Sequence, residues 1–142
     1  MTVIDRSAVF IAIADELGLS LLDRMTINDL LLHAGRPDDL DFAGVLLRLF
    51  TAVAEGSLCV ELSGDMDLKR LKPATAAFFI QTTRAFRKKR LEGKYDLVLS
   101  GPGQYLPLIF DDQNGRPLLY FHKHHHHERR LAERLSFWVD RG

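Results

Sequence analysis

The sequence predicts an α+β domain of about five helices with short strands and a C-terminal β-hairpin followed by a helix. Three observations carry this. The first is order, helical patterns early and strands mixed with helices later, which argues α+β rather than a doubly wound sheet. The second is the clean helical spacing of Phe42, Val45, Leu46, Leu49, Phe50 and Val53. The third is a pair of apolar runs, 105–110 and 117–121, around Asp111-Asp112-Gln113-Asn114-Gly115-Arg116. Asn114-Gly115 is a strong turn signal because both residues tolerate positive φ.

The first helix is expected over Ser7–Leu17. Ser7 can cap it, Phe10, Ile13, Ala14 and Leu17 share one face, and Gly18 ends it. A short second helix is expected over Ile27–His33 with Thr26 as its cap and Gly35 beyond it. The third, Phe42–Val53, has Asp41 as cap and Gly56 as terminator. A strand follows at Leu58–Leu62, with Leu58, Val60 and Leu62 on one face. A fourth helix starts near Pro73, where proline suits a first turn, and buries Phe78, Phe79, Thr82 and Phe86. A short strand at Tyr95–Leu99 is broken by Gly101-Pro102-Gly103 before the hairpin. In the hairpin, Leu106, Leu108, Phe110, Leu118 and Tyr120 are expected on one face. Pro107, Ile109, Leu119 and Phe121 would then leave the other face apolar, either exposed for docking or covered by the chain's own helices.

A length of 142 residues bounds the chain to one domain. Such a domain buries roughly two-thirds of the surface its unfolded chain exposes. No apolar run approaches the ~20 residues of a membrane span. Met1-Thr2-Val3-Ile4-Asp5 lacks a basic region before an apolar run, so no signal peptide is expected. The single cysteine, Cys59, excludes an internal disulfide and fits a reducing, cytoplasmic compartment. It is expected to be an inert strand residue rather than a nucleophile.

The net charge is zero, yet residues 1–66 hold eleven Asp/Glu against four Lys/Arg, and residues 67–142 hold eight against fifteen. This separation of −7 and +7 reads either as a dipolar surface for a charged partner or as two halves that neutralise each other on folding.

Two clusters carry candidate chemistry. Five of the six histidines fall in 122–127. On a helix His122 and His126 lie one turn apart, a spacing that suits zinc or nickel, but a zinc site ordinarily takes three or four protein ligands. His33 and Cys59, the other soft ligands, are distant in sequence. The simpler reading is plain solvent exposure, and a pH-sensitive patch of clustered imidazoles is a further alternative. Arg84, Arg87, Lys88, Lys89, Arg90 and Lys94 form a basic run, six cations in eleven residues, which reads as a solvated helix face, as phosphate contacts of a nucleic-acid-binding module or as a face for an acidic protein partner. Little aromatic interleaving accompanies them, which a single-strand groove would want. Gly-x-x-x-x-Gly-Lys-[Ser/Thr] is absent from the chain. Asp38-Asp39-Asp41 and Asp111-Asp112 suit a helix start and a turn and have no spaced acid–base partner. No catalytic residue, and no cofactor held by this chain, is expected.

Leu119-Tyr120-Phe121, Lys123, Glu128, Leu131-Ala132 and Leu135 resemble a pattern in the N-terminal domain of the exodeoxyribonuclease V alpha subunit (RecD) family. His124, His125 and His127 stand where that family usually has Tyr or Trp. Asp41-Phe42-Ala43, Leu46-Leu47 and Glu55-Gly56-Ser57-Leu58-Cys59-Val60-Glu61-Leu62 resemble the family's helix ending in Glu-Gly and the strand after it. Leu22-Asp23 before a helix is a weaker match, and residues 65–99 match poorly. The resemblance implies a single N-terminal accessory domain over residues 1–142. Its parent would be an ATP-dependent 5′-to-3′ DNA helicase subunit in double-strand-break repair and recombination. ATP and magnesium would belong to a motor whose motifs are not in these residues. The implied work is protein–protein contact with the gamma subunit of the RecBCD complex, with a basic rim of Arg129, Arg130 and Arg134. A free-standing nucleic-acid-binding module using the basic run 84–94 is the alternative, and a histidine-rich metal-binding protein a lesser one.

Overall fold

A computed structural model describes residues 7–62, 71–101, 106–112 and 116–122. Its elements are α1 (Ala8–Leu17), α2 (Leu21–His33), α3 (Leu40–Ala54), β1 (Cys59–Glu61), α4 (Pro73–Leu91), β2 (Leu99–Ser100), β3 (Leu108–Asp111) and β4 (Leu118–Phe121). The four strands form one sheet in the order β1-β4-β3-β2. The pairs β1–β4 and β3–β4 are antiparallel, and β2–β3 is parallel. The α+β class and the hairpin are therefore present. Four helices stand among the described residues, and the helix expected after the hairpin lies outside them, apart from His122.

Local chemistry explains the helix ends. Ser7 Oγ accepts from Phe10 N at 3.4 Å, and Gly18 closes α1 at φ 70°, a left-handed conformation that glycine adopts without strain. α2 begins earlier than expected. Ser20, not Thr26, is its cap, accepting from Asp23 N at 3.1 Å. Thr26 sits inside the helix and donates to Leu22 O at 2.9 Å. The cap of α3 is Asp39 rather than Asp41, with Oδ1 accepting from Phe42 N at 3.0 Å.

α3 is the central helix, packing on α1, α2, α4 and β1. Every residue from Phe42 to Phe50 is buried, so its middle is enclosed on all sides rather than along one stripe. α4 packs tightly against it at Gly44, where a Cβ would collide with the Thr82 side chain. α4 buries Thr75, Phe79, Thr82, Thr83 and Phe86; Phe78 is only half-buried.

The sheet lays Val60, Leu99, Leu108, Phe110 and Leu119 into the core shared with the helices, with Phe121 packed at its edge. The hairpin register differs from the expected one. Leu108 pairs with Phe121 and Phe110 with Leu119, so these four share the core face. Ile109 pairs with Tyr120 on the opposite face. Residues 95–98 are turn rather than strand, closed by Leu99 N donating to Tyr95 O at 2.9 Å. In the 58–62 segment Val60 and Leu62 are buried and Leu58 is exposed. No described helix is long and apolar enough to cross a membrane.

Candidate functional site

The basic run splits in two once folded. Arg84, Arg87, Lys88 and Lys94 are exposed. Lys89 turns back to the start of α3, with Nζ 2.8 Å from Asp41 Oδ2 and 3.5 Å from Asp39 Oδ1. Arg90 lies over the Phe110 ring, its guanidinium carbon 4.0 Å from the centroid, and reaches Asp112 at 3.7 Å. Two of the six candidate phosphate contacts thus join α4 to α3 and to β3. Helical phase decides the division: Arg84, Arg87 and Lys88 follow the outward side of α4, whereas Lys89 and Arg90 flank the buried Phe86.

The polar centre of the fold is Asp39, whose side chain is 2 % exposed. It accepts from Arg36 Nε at 2.7 Å, Tyr95 Oη at 3.0 Å and Phe42 N at 3.0 Å, with Lys89 beyond. Burial alone would raise its pKa. The bonds from Arg36, Phe42 and Tyr95 and the charge of Lys89 outweigh burial and hold the carboxyl below its ordinary value. Burial and then the Asp39 charge push the Tyr95 phenol upward. Beneath this node Phe42 and Tyr95 pack at 4.3 Å between centroids, and Phe86 stacks on Tyr95 at 5.2 Å. The cluster ties the loop before α3, the end of α4 and the 92–98 turn together. Its geometry is that of a brace, with the carboxylate saturated by donors and turned away from solvent.

A second buried polar group bridges layers. Arg48, 4 % exposed, donates to Thr83 Oγ1 on α4 at 2.6 Å and to the Glu61 carbonyl on β1 at 3.1 Å. Burial lowers its pKa to about 10, which leaves it cationic at neutral pH. Sequence spacing placed Arg48 within the Glu-Gly helix but gave no signal of this role.

Part of the charge separation is answered internally. Lys89 pairs with Asp39 and Asp41, and Arg116 meets Glu61 at 3.1 Å, both across the two halves of the chain.

The expected exposed apolar face of the hairpin is not found. Ile109 is 1 % and Tyr120 4 % exposed, so the middle of the hairpin is buried on both faces, with Pro107 exposed and Leu118 half-buried beside them. Alternation along two apolar strands cannot distinguish an exposed outer face from a covered one. Arg129, Arg130 and Arg134 lie outside the described residues, as does His126. His122 is half-buried at the end of β4, its amide donating to Pro107 O at 3.0 Å. His33 is exposed on α2 with Nδ1 2.8 Å from Asp29 O. Among the described residues no group of three or more His, Cys, Asp or Glu stands together as a metal site would require. Cys59 is a half-buried strand residue opposite Tyr120.

Comparison with protein-family models, curated proteins and solved structures found no match.

Proposed function

We propose that this chain is the accessory domain of a RecD-like exodeoxyribonuclease V alpha subunit, working by docking onto the gamma subunit and catalysing nothing itself. The observation that carries this reading is a juxtaposition. Two of the stretches that resemble the family, 55–62 and 119–121, are far apart in sequence yet lie side by side through β1 and β4. Cys59 is opposite Tyr120, Val60 opposite Leu119 and Glu61 opposite Leu118. Leu46-Leu47, in the same upstream match as 55–62, packs into that same core. The cytoplasm is the compartment that goes with this role.

A pull-down with the gamma subunit tests the proposal. Retention of the wild-type chain, weakened by Arg130→Glu with Arg134→Glu, supports docking through a basic rim. Undiminished retention of the double variant removes that rim from the interface, and no retention of the wild type removes the docking role.

The exposed quartet Arg84, Arg87, Lys88 and Lys94 supports a second, weaker reading as a DNA contact. Such a contact would rest on phosphates and weaken steeply with salt.

A further inference from the structure

The outward side of α4 carries a stripe of cations bracketed by aliphatic side chains. At 3.6 residues per turn Ile80, Arg84, Arg87 and Leu91 fall within about 60° of one another, with Lys88 at the edge. All of them are exposed, Ile80 by 51 % and Leu91 by 80 %. The other side of the helix buries Phe79, Thr82 and Phe86. No Asp or Glu stands anywhere in Pro73–Leu91. Lys89 and Arg90 are engaged by Asp39, Asp41 and Asp112. Arg84, Arg87 and Lys88, by contrast, stand in no ion pair among the described residues. The stripe ends at Leu91, because Glu92 and Asp96 are exposed in the turn beyond.

Charge and its apolar ends together indicate what fits this stripe. Single exposed aliphatics are ordinary. Here the two lie in line with the cations, and the alkyl stems of arginines supply further apolar surface between them. Ile80 and Leu91 are eleven positions apart, about 16 Å along the helix. A phosphate backbone would meet the cations and gain nothing from Ile80 or Leu91. A helix bearing carboxylates would use both, since arginine takes a carboxylate in a planar fork and aliphatic surface favours a dry contact at either end. Two copies meeting through α4 would set cation against cation.

We infer that the outward stripe of α4 is a docking surface for an acidic helix of a protein partner. Carboxylates of that helix meet Arg84, Arg87 and Lys88, and an aliphatic side chain toward each of its ends meets Ile80 or Leu91. Dependence on these two aliphatics separates the inference from a DNA contact through the same cations. It involves residues other than Arg129, Arg130 and Arg134 and stands whether or not the partner is the gamma subunit.

The probe is a synthetic helical peptide with leucines eleven positions apart and glutamates between them on the same face. A second peptide carries glutamines in place of the glutamates, and a short DNA duplex serves as the phosphate probe. Titration of the whole chain is followed by amide chemical shifts and fluorescence anisotropy at one low salt concentration. The glutamate peptide is expected to bind with shifts centred on α4, and the glutamine peptide about tenfold more weakly or not at all. Ile80→Gln with Leu91→Gln is expected to weaken the glutamate peptide about tenfold while leaving thermal melting in place, since both side chains are exposed. The same pair is expected to leave duplex binding unchanged, because phosphate contacts rest on the cations. Arg84→Glu with Arg87→Glu is expected to reverse the preference toward a lysine version of the peptide. No binding of the glutamate peptide, or binding that survives Ile80→Gln with Leu91→Gln, would overturn the inference. So would a duplex bound more tightly than the glutamate peptide, which would make the stripe a phosphate surface. A dimer in sedimentation that Leu91→Gln disperses would overturn it as well, because the stripe would then belong to a second copy.

Discussion

The Tyr95 hydroxyl donates to Asp39 Oδ2 at 3.0 Å across 56 positions of sequence. Through this bond the carboxylate that caps α3 also fixes the turn after α4. Tyr95→Phe keeps the ring stack on Phe42 and Phe86 and removes only the donor. A lost bond to a buried charge costs about 1.5–3 kcal/mol. Urea denaturation is expected to show a lower midpoint with an unchanged slope.

Asp39→Asn is expected to cost at least as much as Tyr95→Phe, and to change the pH dependence as well. The folded-state pKa of Asp39 is lowered, so its contribution is complete above the ordinary value of 3.8 and is lost as pH falls through the folded value. Wild-type stability should therefore drop as pH falls below about 4, and the drop should shrink in the variant. An identical acid limb in both proteins would show that Asp39 is not the group responsible.

Leu46→Ala and Leu49→Ala each remove a fully buried side chain from the central helix and should cost about 2–5 kcal/mol. Gly44→Ala pushes α4 off α3 at Thr82 and should cost about 1–3 kcal/mol. Cooperative melting with only small shifts in all three would contradict the packing described.

The split of the basic run is checked by stability alone. Arg84→Ala and Lys88→Ala touch exposed side chains and should stay within about 0.5 kcal/mol of wild type. Lys89→Ala and Arg90→Ala should each cost about 0.5–1 kcal/mol, through the Asp41 pair and the Phe110 stack.

α1 was legible because its cap, periodicity and terminator agree, and α3 because its periodicity and terminator do, although its cap is not the expected Asp41. α2 was legible only in its second half: Leu21, Leu22 and Met25 face solvent, so no single apolar stripe marks its first turns, although Ser20 three residues before Asp23 is a usable start signal. Asp38, Asp39 and Asp41 are equivalent as local caps, and only contacts with Arg36, Lys89 and Tyr95 select Asp39. The hairpin was legible, its register was not, because the pairing of Leu108 with Phe121 depends on turn length rather than on which residues are apolar. Tyr95, Leu97 and Leu99 alternate like a strand, but Tyr95 is buried in a turn, its position set by the distant Asp39 carboxylate. The Arg48 bridge unites α3, α4 and β1, and no local pattern encodes such a contact.

The isolated chain is expected to turn over no ATP, with or without DNA, since no phosphate-loop motif is present in its sequence. A coupled assay on stringently purified protein is the check, and DNA-stimulated turnover that tracks the protein through purification would contradict it.

Docking is the central claim, and calorimetric titration of the chain into the purified gamma subunit of exodeoxyribonuclease V tests it most directly. The account predicts saturable one-to-one binding with a negative heat-capacity change from buried apolar surface. Absence of binding by a chain that melts cooperatively under the same conditions would contradict it.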